Sequence, residues 1–172
     1  MSTRNILLAA GSALAMSALA TGAFAAGSVS TTATASVTVL SPVTIVKVQD
    51  LVFGQVVRPS NANTNTVTLD TSDTVTVTGT GNGSMVASAT SSAKFTITAP
   101  AATTYTTTQG LTFTAAGLTN IGPSLPVAQT GTLGTIPVGG SQGITYGGHF
   151  DMNASTPAQA YTGTLAVTIN YN

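Results

Sequence analysis

The sequence predicts an all-β fold, a β-sandwich of mostly antiparallel strands. Short runs rich in Val, Thr, Ile and Phe alternate with Gly, Pro, Asn and Ser, as strands alternate with turns. Beyond residue 26, apolar residues do not recur at the i, i+3, i+4 spacing of an amphipathic helix. The last stretch, residues 161–171, alternates between an apolar face and a mostly hydroxyl-rich face, as expected of a strand with one buried side.

The same pattern places shorter strands along the rest of the chain. We predict strands near 33–40, 43–48, 51–57, 66–70, 73–78, 84–89, 94–98, 111–115, 132–138, 143–152 and 161–171. Gly54 indicates a β-bulge or a close backbone approach. The glycines within 139–148 are predicted to form turns and strand bends, since no GxxxxGK or GxGxxG motif precedes a helix there.

Residues 1–25 are predicted to be a secretory signal peptide. Arg4 precedes an apolar run, and Ala23-Phe24-Ala25 places small residues where a signal peptidase cleaves, after Ala25 or Ala26. The run is shorter than the roughly 20 apolar residues that a membrane-spanning helix needs. We therefore expect an exported chain, periplasmic and then at the cell surface, with an N-terminal extension at 26–40 and one domain at 41–172.

The charge content is unusually low. Only 5% of the residues are charged, and three basic residues face four aspartates after residue 25, a net charge of −1. This excludes a basic surface for nucleic acid or anionic lipid. The chain has no cysteine, so an exported domain of this sequence must be stabilised by packing and sheet hydrogen bonds alone.

The predicted N-terminal extension contains a second alternating segment, residues 33–40. Ala33, Ala35, Val37 and Val39 share one face, and Thr and Ser residues occupy the other. One interpretation is the ordinary first strand of the sandwich. The other is a donor strand, which inserts into a neighbouring subunit and completes its fold.

Apolar residues in two other stretches are candidates for the core or for a groove that accepts such a strand. They are Leu51 and Phe53 in one stretch, and Leu165, Val167, Ile169 and Tyr171 on the apolar face of the terminal strand. Phe53 is predicted to anchor the core rather than to stack on a ligand. A sandwich that lacks one strand exposes both an apolar face and an unpaired edge until the groove is filled.

The residues that could perform catalysis are few. The single histidine, His149, lies between Gly148 and Phe150 on a predicted strand, which is typical of a surface or turn histidine. Asp70 and Asp73 flank a predicted turn, where aspartate side chains bond to the backbone. We expect no enzymatic activity, no cofactor, no metal site and no small-molecule substrate.

Four segments, in order and spacing, resemble a bacterial surface-protein family described as domain of unknown function 4402. They are Val43-Thr44-Ile45, Asp50-Leu51-Val52-Phe53-Gly54, Val138-Gly139-Gly140, and Tyr161-Thr162-Gly163-Thr164 followed by Val167-Thr168-Ile169-Asn170-Tyr171. The pattern is similar to that of spore-coat-U-like subunits of archaic chaperone–usher pili, although the cysteine pair of many such subunits is absent here. The resemblance implies an incomplete immunoglobulin-like sandwich that is completed by the N-terminal strand of another copy.

Three functional hypotheses follow from these observations. The first is an exported subunit of a surface filament, with other copies of itself, a periplasmic chaperone and an outer-membrane usher as partners. The second is a stand-alone adhesion module that binds carbohydrate through Tyr105, Tyr146 or Tyr161. The third is a small outer-membrane β-barrel, which the length and the alternation allow, although barrels usually carry more aromatic and charged residues than this chain has.

Overall fold

The structure, a computed structural model, describes residues 27–171. The chain divides into two units, Met1–Val37 and Thr38–Asn172. In the first unit, the described residues 27–37 form no helix or strand, and their side chains are exposed. The predicted signal peptide lies outside the described residues.

The second unit contains twelve β-strands and, within residues 38–171, no helix. The strands are β1 (Thr44–Gln49), β2 (Gln55–Val57), β3 (Asn65–Leu69), β4 (Val75–Gly79), β5 (Ser84–Val86), β6 (Ala93–Thr98), β7 (Tyr105–Phe113), β8 (Thr119–Pro123), β9 (Val127–Ala128), β10 (Ser141–Tyr146), β11 (Gly148–Met152) and β12 (Gly163–Tyr171). The predicted all-β class is therefore confirmed.

The strands form four sheets in which every pair is antiparallel. Two sheets have four strands, in the orders β1-β6-β10-β9 and β4-β3-β11-β8. The other two are the pairs β12-β7 and β2-β5. β12 and β7 are in register over their full length, from Gly163 opposite Phe113 to Tyr171 opposite Tyr105.

The larger core lies between the first four-stranded sheet and the β12-β7 pair. Ile97, Ile144 and Tyr146 are fully buried on the four-stranded side, and Tyr105 is buried on β7. Leu165, Val167 and Ile169 on β12 are only half-buried, although they pack against this core. Two layers of sheet with apolar inner faces make a β-sandwich, as the sequence predicted.

A smaller core lies beneath the second four-stranded sheet. Val67, Phe150 and Met152 are buried there. The Phe53 ring lies edge-on to Phe150, with ring centroids 5.1 Å apart, and also contacts Phe113 with centroids 6.2 Å apart. Phe53 is thus a half-buried side chain that packs against this core.

The predicted strand 143–152 is two strands that belong to different sheets. β10 ends at Tyr146 and β11 begins at Gly148, so the chain changes sheets at Gly147. A Cβ atom at Gly147 would overlap the carbonyl oxygen of Leu69, so only glycine allows this close crossing of two backbones.

The prediction of a strand at 132–138 is wrong. These residues form turns, with a single isolated bridge between Thr104 and Thr135. The fully buried Gln142 amide donates hydrogen bonds to the carbonyl oxygens of Thr130 and Thr132, at 2.8 and 3.0 Å. Three backbone hydrogen bonds also join residues 134–136 to residues 102–105, but they do not extend into a strand ladder. Three further pieces of strand were not predicted from the sequence: residues 105–110 of β7, the whole of β8 and the whole of β9.

Candidate strand-binding groove

A groove of about 980 Å³ opens along one side of the sandwich, between the end of β1 and the beginning of β12. One wall consists of residues 47–56, which follow from the second half of β1. The other wall consists of residues 156–165, which lead into β12. The groove therefore lies where the edges of the two main layers meet.

The floor and walls of the groove are largely apolar. The apolar side chains that line it include Leu51, Phe53, Ala93, Phe95, Leu111, Phe113, Phe150, Met152 and Leu165. Most of these also belong to the two cores or pack against them, so the groove is an opening into the interior of the sandwich. Exposed apolar surface that is continuous with a core is expected to bind an apolar partner.

The strands that flank the groove each have an unpaired edge. Within residues 27–171, β1 is hydrogen-bonded only to β6, and β12 only to β7. The second edge of β12, a strand of nine residues, thus leaves the backbone N–H and C=O groups of alternate residues unpaired. Such an edge accepts an additional strand readily.

The pairing between β1 and β6 stops where the groove begins, and the chain after β1 leaves the sheet. β1 ends at Gln49, and the next contact with the neighbouring strand is a single bridge between Val52 and Ser91. Gly54 follows with φ = 77°, and a Cβ atom there would lie 2.5 Å from the Ser88 hydroxyl oxygen. The predicted close approach at Gly54 is confirmed. The backbone conformation at Gly54 places the preceding side chain, Phe53, against the rings of Phe113 and Phe150.

The lower end of the groove is bounded by the segment 156–161, which we call the lower loop. The Tyr161 hydroxyl donates a hydrogen bond of 2.9 Å to the Pro157 carbonyl oxygen. The Tyr161 ring lies edge-on to Phe113, with centroids 6.5 Å apart. These contacts fix the shape of the loop without any charged side chain of its own.

The charged side chains near the groove belong to exposed residues. Lys47 and Asp50 form an ion pair of 2.6 Å in which both side chains are more than half exposed, so it adds little to stability. Arg58 donates to the Thr156 carbonyl oxygen at 2.5 Å and ties the lower loop to the body. The lining favours an uncharged apolar segment over an ionic ligand.

The structure brings most of the predicted groove residues together. Leu51, Phe53 and Leu165 line the groove, while Val167 and Ile169 continue the same half-buried face along β12. Tyr171 lies elsewhere, at the far end of β12. It is 62% exposed and lines a second concavity with residues 40–43 and 100–104.

The predicted donor residues Ala33, Ala35, Val37 and Val39 are all exposed. Residues 33–40 are assigned to no strand in the structure. Their role as a donor to another copy stays a prediction.

Several groove residues were not predicted from the sequence. Ala93 and Phe95 alternate with polar residues on β6, a pattern that indicates which face is inward but not that the face is uncovered. Ala93 is buried and Phe95 is half-buried, and both line the groove beside the point where β1 ends at Gln49, a tertiary feature. Local alternation therefore predicts which face of β6 points inward, but only the three-dimensional structure shows that this face borders the groove.

Side chains elsewhere do not form a chemical site in the described part of the chain. His149 is half-buried on β11, opposite Gly122. Asp70 accepts hydrogen bonds from the backbone N–H groups of Ser72 and Thr74, at 2.8 and 2.9 Å, which is a turn role as predicted. Among residues 27–171, no three His, Cys, Asp or Glu side chains lie close enough together to hold a metal ion.

Asp73 has a different structural role. Its backbone is in the left-handed region, with φ = 64°, and its carboxylate accepts hydrogen bonds from the N–H and hydroxyl groups of Ser92 at 2.6 and 2.5 Å. The Ser92 hydroxyl, then its N–H, and then nearby Lys94 hold the pKa of Asp73 below its usual value, against the opposing effect of burial.

Two of the three tyrosines considered for sugar stacking are inaccessible. Tyr105 is 3% exposed and Tyr146 is fully buried, and burial raises the pKa of both hydroxyls. The Tyr105 hydroxyl donates to the buried side-chain oxygen of Gln142. Only Tyr161, which bounds the groove, is left as a stacking candidate of the three.

Within residues 27–171, no helix is long and apolar enough to cross a membrane.

Comparison with known proteins gives a family for this chain. A family model described as Domain of unknown function (DUF4402) matches residues 43–171. Comparisons with curated proteins and with solved structures gave no significant match. The matched residues include all twelve strands and the whole groove. The chain therefore belongs to the DUF4402 family, as its sequence motifs predicted.

Proposed function

We propose that this protein is an exported structural subunit of a bacterial cell-surface filament. Subunits polymerise when residues 33–40 of one copy insert as a strand into the groove of another. The observation that carries the proposal is the apolar groove beside the unpaired edge of β12, in a chain that also has an exposed alternating segment outside its own sheets.

The inserted strand matches the groove in chemistry. Ala33, Ala35, Val37 and Val39 would face the apolar lining, and Thr34, Ser36 and Thr38 would face solvent. Burial of these four small side chains contributes on the order of 4–8 kcal/mol at about 25 cal/mol per Å². Ladder hydrogen bonds along β12 add to this contribution.

The inserted strand also matches the groove in length. β12 has nine residues, and the segment 33–40 has eight. At about 3.4 Å per residue, such a segment covers nearly the full edge of β12. The low charge of the chain suits the proposal as well, because closely packed copies would repel one another little.

The first test uses the two faces of the donor segment. In the full mature chain, Val37→Asp with Val39→Asp puts two carboxylates on the face that enters the groove. Ser36→Asp with Thr38→Asp puts the same charges on the solvent face and is the matched control. We expect the first pair to abolish polymers detected by electron microscopy and by SDS-resistant ladders, because an unpaired buried charge is costly.

The control pair is expected to polymerise as the parent does. Equal polymer yield from both variants would contradict strand donation. A parent that stays monomeric and folded at high concentration would also contradict it, and would favour the stand-alone adhesion module.

A further inference from the structure

A second concavity lies at the opposite end of the body from the lower loop. It has a volume of about 620 Å³ and is lined by residues that include Leu40, Pro42, Val43, Pro100, Ala102 and Tyr171. We call these residues, with Ala101, the upper pole. As far as residues 27–171 define it, the lining contains no charged side chain.

The two ends are set apart by the length of β12. This strand begins at Gly163, beside the lower loop, and ends at Tyr171, in the upper pole. Nine residues of strand span about 27 Å between the first and last Cα atoms. A donor strand that lies along β12 therefore runs from one end of the acceptor body to the other.

The direction of the donor strand decides which end meets the next body. Every strand pair in the fold is antiparallel, and antiparallel addition would place Leu40 of the donor beside Gly163 of the acceptor. Parallel addition would place Leu40 beside Tyr171. In that case the body of the donor would have to sit against the upper pole of the acceptor. The acceptor's own donor segment leaves its body from that same pole, so the two would compete for space.

The connection between donor strand and body is short. Only Ser41 and Pro42 separate Leu40 from Val43, which packs against the core of its own subunit. Leu40 and Val43 are three residues apart, so their Cα atoms lie at most about 11 Å from each other, and the proline restricts the connection further. The upper pole of the donor must therefore touch the lower end of the acceptor once the strand is inserted.

We propose that the upper pole is a docking surface for the lower loop of the next copy, forming a contact separate from the strand itself. The inference rests on the proposed function, because strand insertion brings the two surfaces together. Pro157, Ala158 and Ala160 are exposed on the lower loop, and they match the uncharged apolar lining of the upper pole. The Tyr161–Pro157 hydrogen bond keeps this loop in shape before docking.

The contact would repeat head to tail along the fibre. Each body would present its upper pole to one neighbour and its lower loop to the other, so the two surfaces never compete. A docked joint with a two-residue connection would make a stiff filament rather than a chain of freely hinged beads.

The test separates docking from strand insertion by placing charges on the two surfaces. Ala101 and Ala158 are both exposed alanines, one in each surface. Ala101→Glu and Ala158→Lys each put a charge against an apolar partner, whereas the double variant pairs the two charges across the joint. Thr76→Glu on the exposed face of β4 is the matched control.

Two quantities are measured in the full mature chain. One is the yield and persistence length of filaments in electron micrographs. The other is the affinity of the groove for a synthetic peptide of residues 33–40, which has no body and so cannot dock. We expect each single variant to lower filament yield by about tenfold and the double variant to recover it. Ala101→Glu lies outside the groove, so its peptide affinity should stay within about twofold of the parent's.

The docking proposal would be overturned if both single variants gave filaments with the same yield and stiffness as Thr76→Glu. In Ala101→Glu, a peptide affinity that falls in parallel with yield would overturn it too, since the defect would then lie in the groove. Failure of the parent itself to bind the peptide or polymerise would instead reject strand donation, so the two failures are distinguishable.

Discussion

At the scale of single residues, the groove depends on positions where the backbone takes conformations that most side chains disfavour. Gly54 has φ = 77° and lies against Ser88 at the start of one groove wall. Asp73 has φ = 64° and ties the turn before β4 to the start of β6 through Ser92. Both residues fix the chain near a point where β1 and β6 separate.

Gly54→Ala is expected to destabilise the protein by about 1–3 kcal/mol. The alanine would suffer left-handed backbone strain, and its Cβ atom would lie too close to the Ser88 hydroxyl oxygen. Gly110→Ala is the control, because a Cβ there meets nothing within 4 Å. Denaturant unfolding followed by circular dichroism measures both, and equal midpoints would contradict the proposed constraint.

The Asp73–Ser92 contact gives the unfolding free energy a specific acid dependence. The pKa of Asp73 is lowered from 3.8 chiefly by the Ser92 hydroxyl, so its contribution is complete above pH 3.8. That contribution is lost as the pH falls below 3.8 and through the lowered pKa. We expect Ser92→Ala to weaken this dependence, measured as denaturant unfolding between pH 2 and pH 6.

Ser91→Ala is the control for that measurement. Its hydroxyl donates to the Asp50 carbonyl oxygen rather than to Asp73. A change in acid dependence as large as that of Ser92→Ala would contradict the assignment.

At the scale of elements, the central feature is β12, whose apolar face packs on the core while one edge has no strand partner within residues 27–171. The sequence predicted this strand because its alternation is strict and its residues favour strands. The same reasoning missed residues 105–110 of β7, where Thr-Thr-Thr-Gln-Gly follows Tyr105. Polar residues at inward positions conceal the period of a strand whose face is buried by its neighbours.

The false strand at 132–138 has a related cause. Leu133, Ile136 and Val138 suggest a strand by composition, yet only Ile136 is buried. Backbone hydrogen bonds join residues 134–136 to residues 102–105, and the Gln142 side chain holds the start of the loop from ten residues or more away in sequence. Such a long-range side-chain contact leaves no periodic signal.

Leu165→Ala tests the contribution of the β12 face to strand binding. Leu165 lines the groove and packs against the core, so truncation should lower the affinity for the 33–40 peptide by about fivefold to tenfold. It should also cost about 1–3 kcal/mol of stability. Thr164→Ala, on the opposite face, is the control, and isothermal titration at a temperature where both variants are folded measures the affinity. If Leu165→Ala and Thr164→Ala bound the peptide with equal affinity, the peptide would not lie against the apolar face of β12.

At the scale of the whole molecule, the chain combines an open sandwich with an alternating segment, residues 33–40, that belongs to none of the assigned strands. Neither is readily explained by a monomer, because an open apolar groove and an unpaired edge invite aggregation unless something fills them. Exchange of segments between copies satisfies both at once. The family match covers the body, residues 43–171, and the proposed donor lies just before it.

The absence of cysteine makes a direct measurement of exchange possible, because any disulfide must come from introduced residues. Antiparallel insertion that matches the two apolar faces puts Leu40 opposite Thr164, next to the start of β12. It then places Thr38 opposite Ala166, both on the solvent face. Thr38→Cys with Ala166→Cys should therefore form an intermolecular disulfide after polymerisation, giving a ladder on non-reducing gels that dithiothreitol removes. Val39→Cys with Ala166→Cys, on opposite faces, is the control and should give no ladder. Absence of a ladder for Thr38→Cys combined in turn with cysteine at 164, 166 and 168 would contradict strand donation.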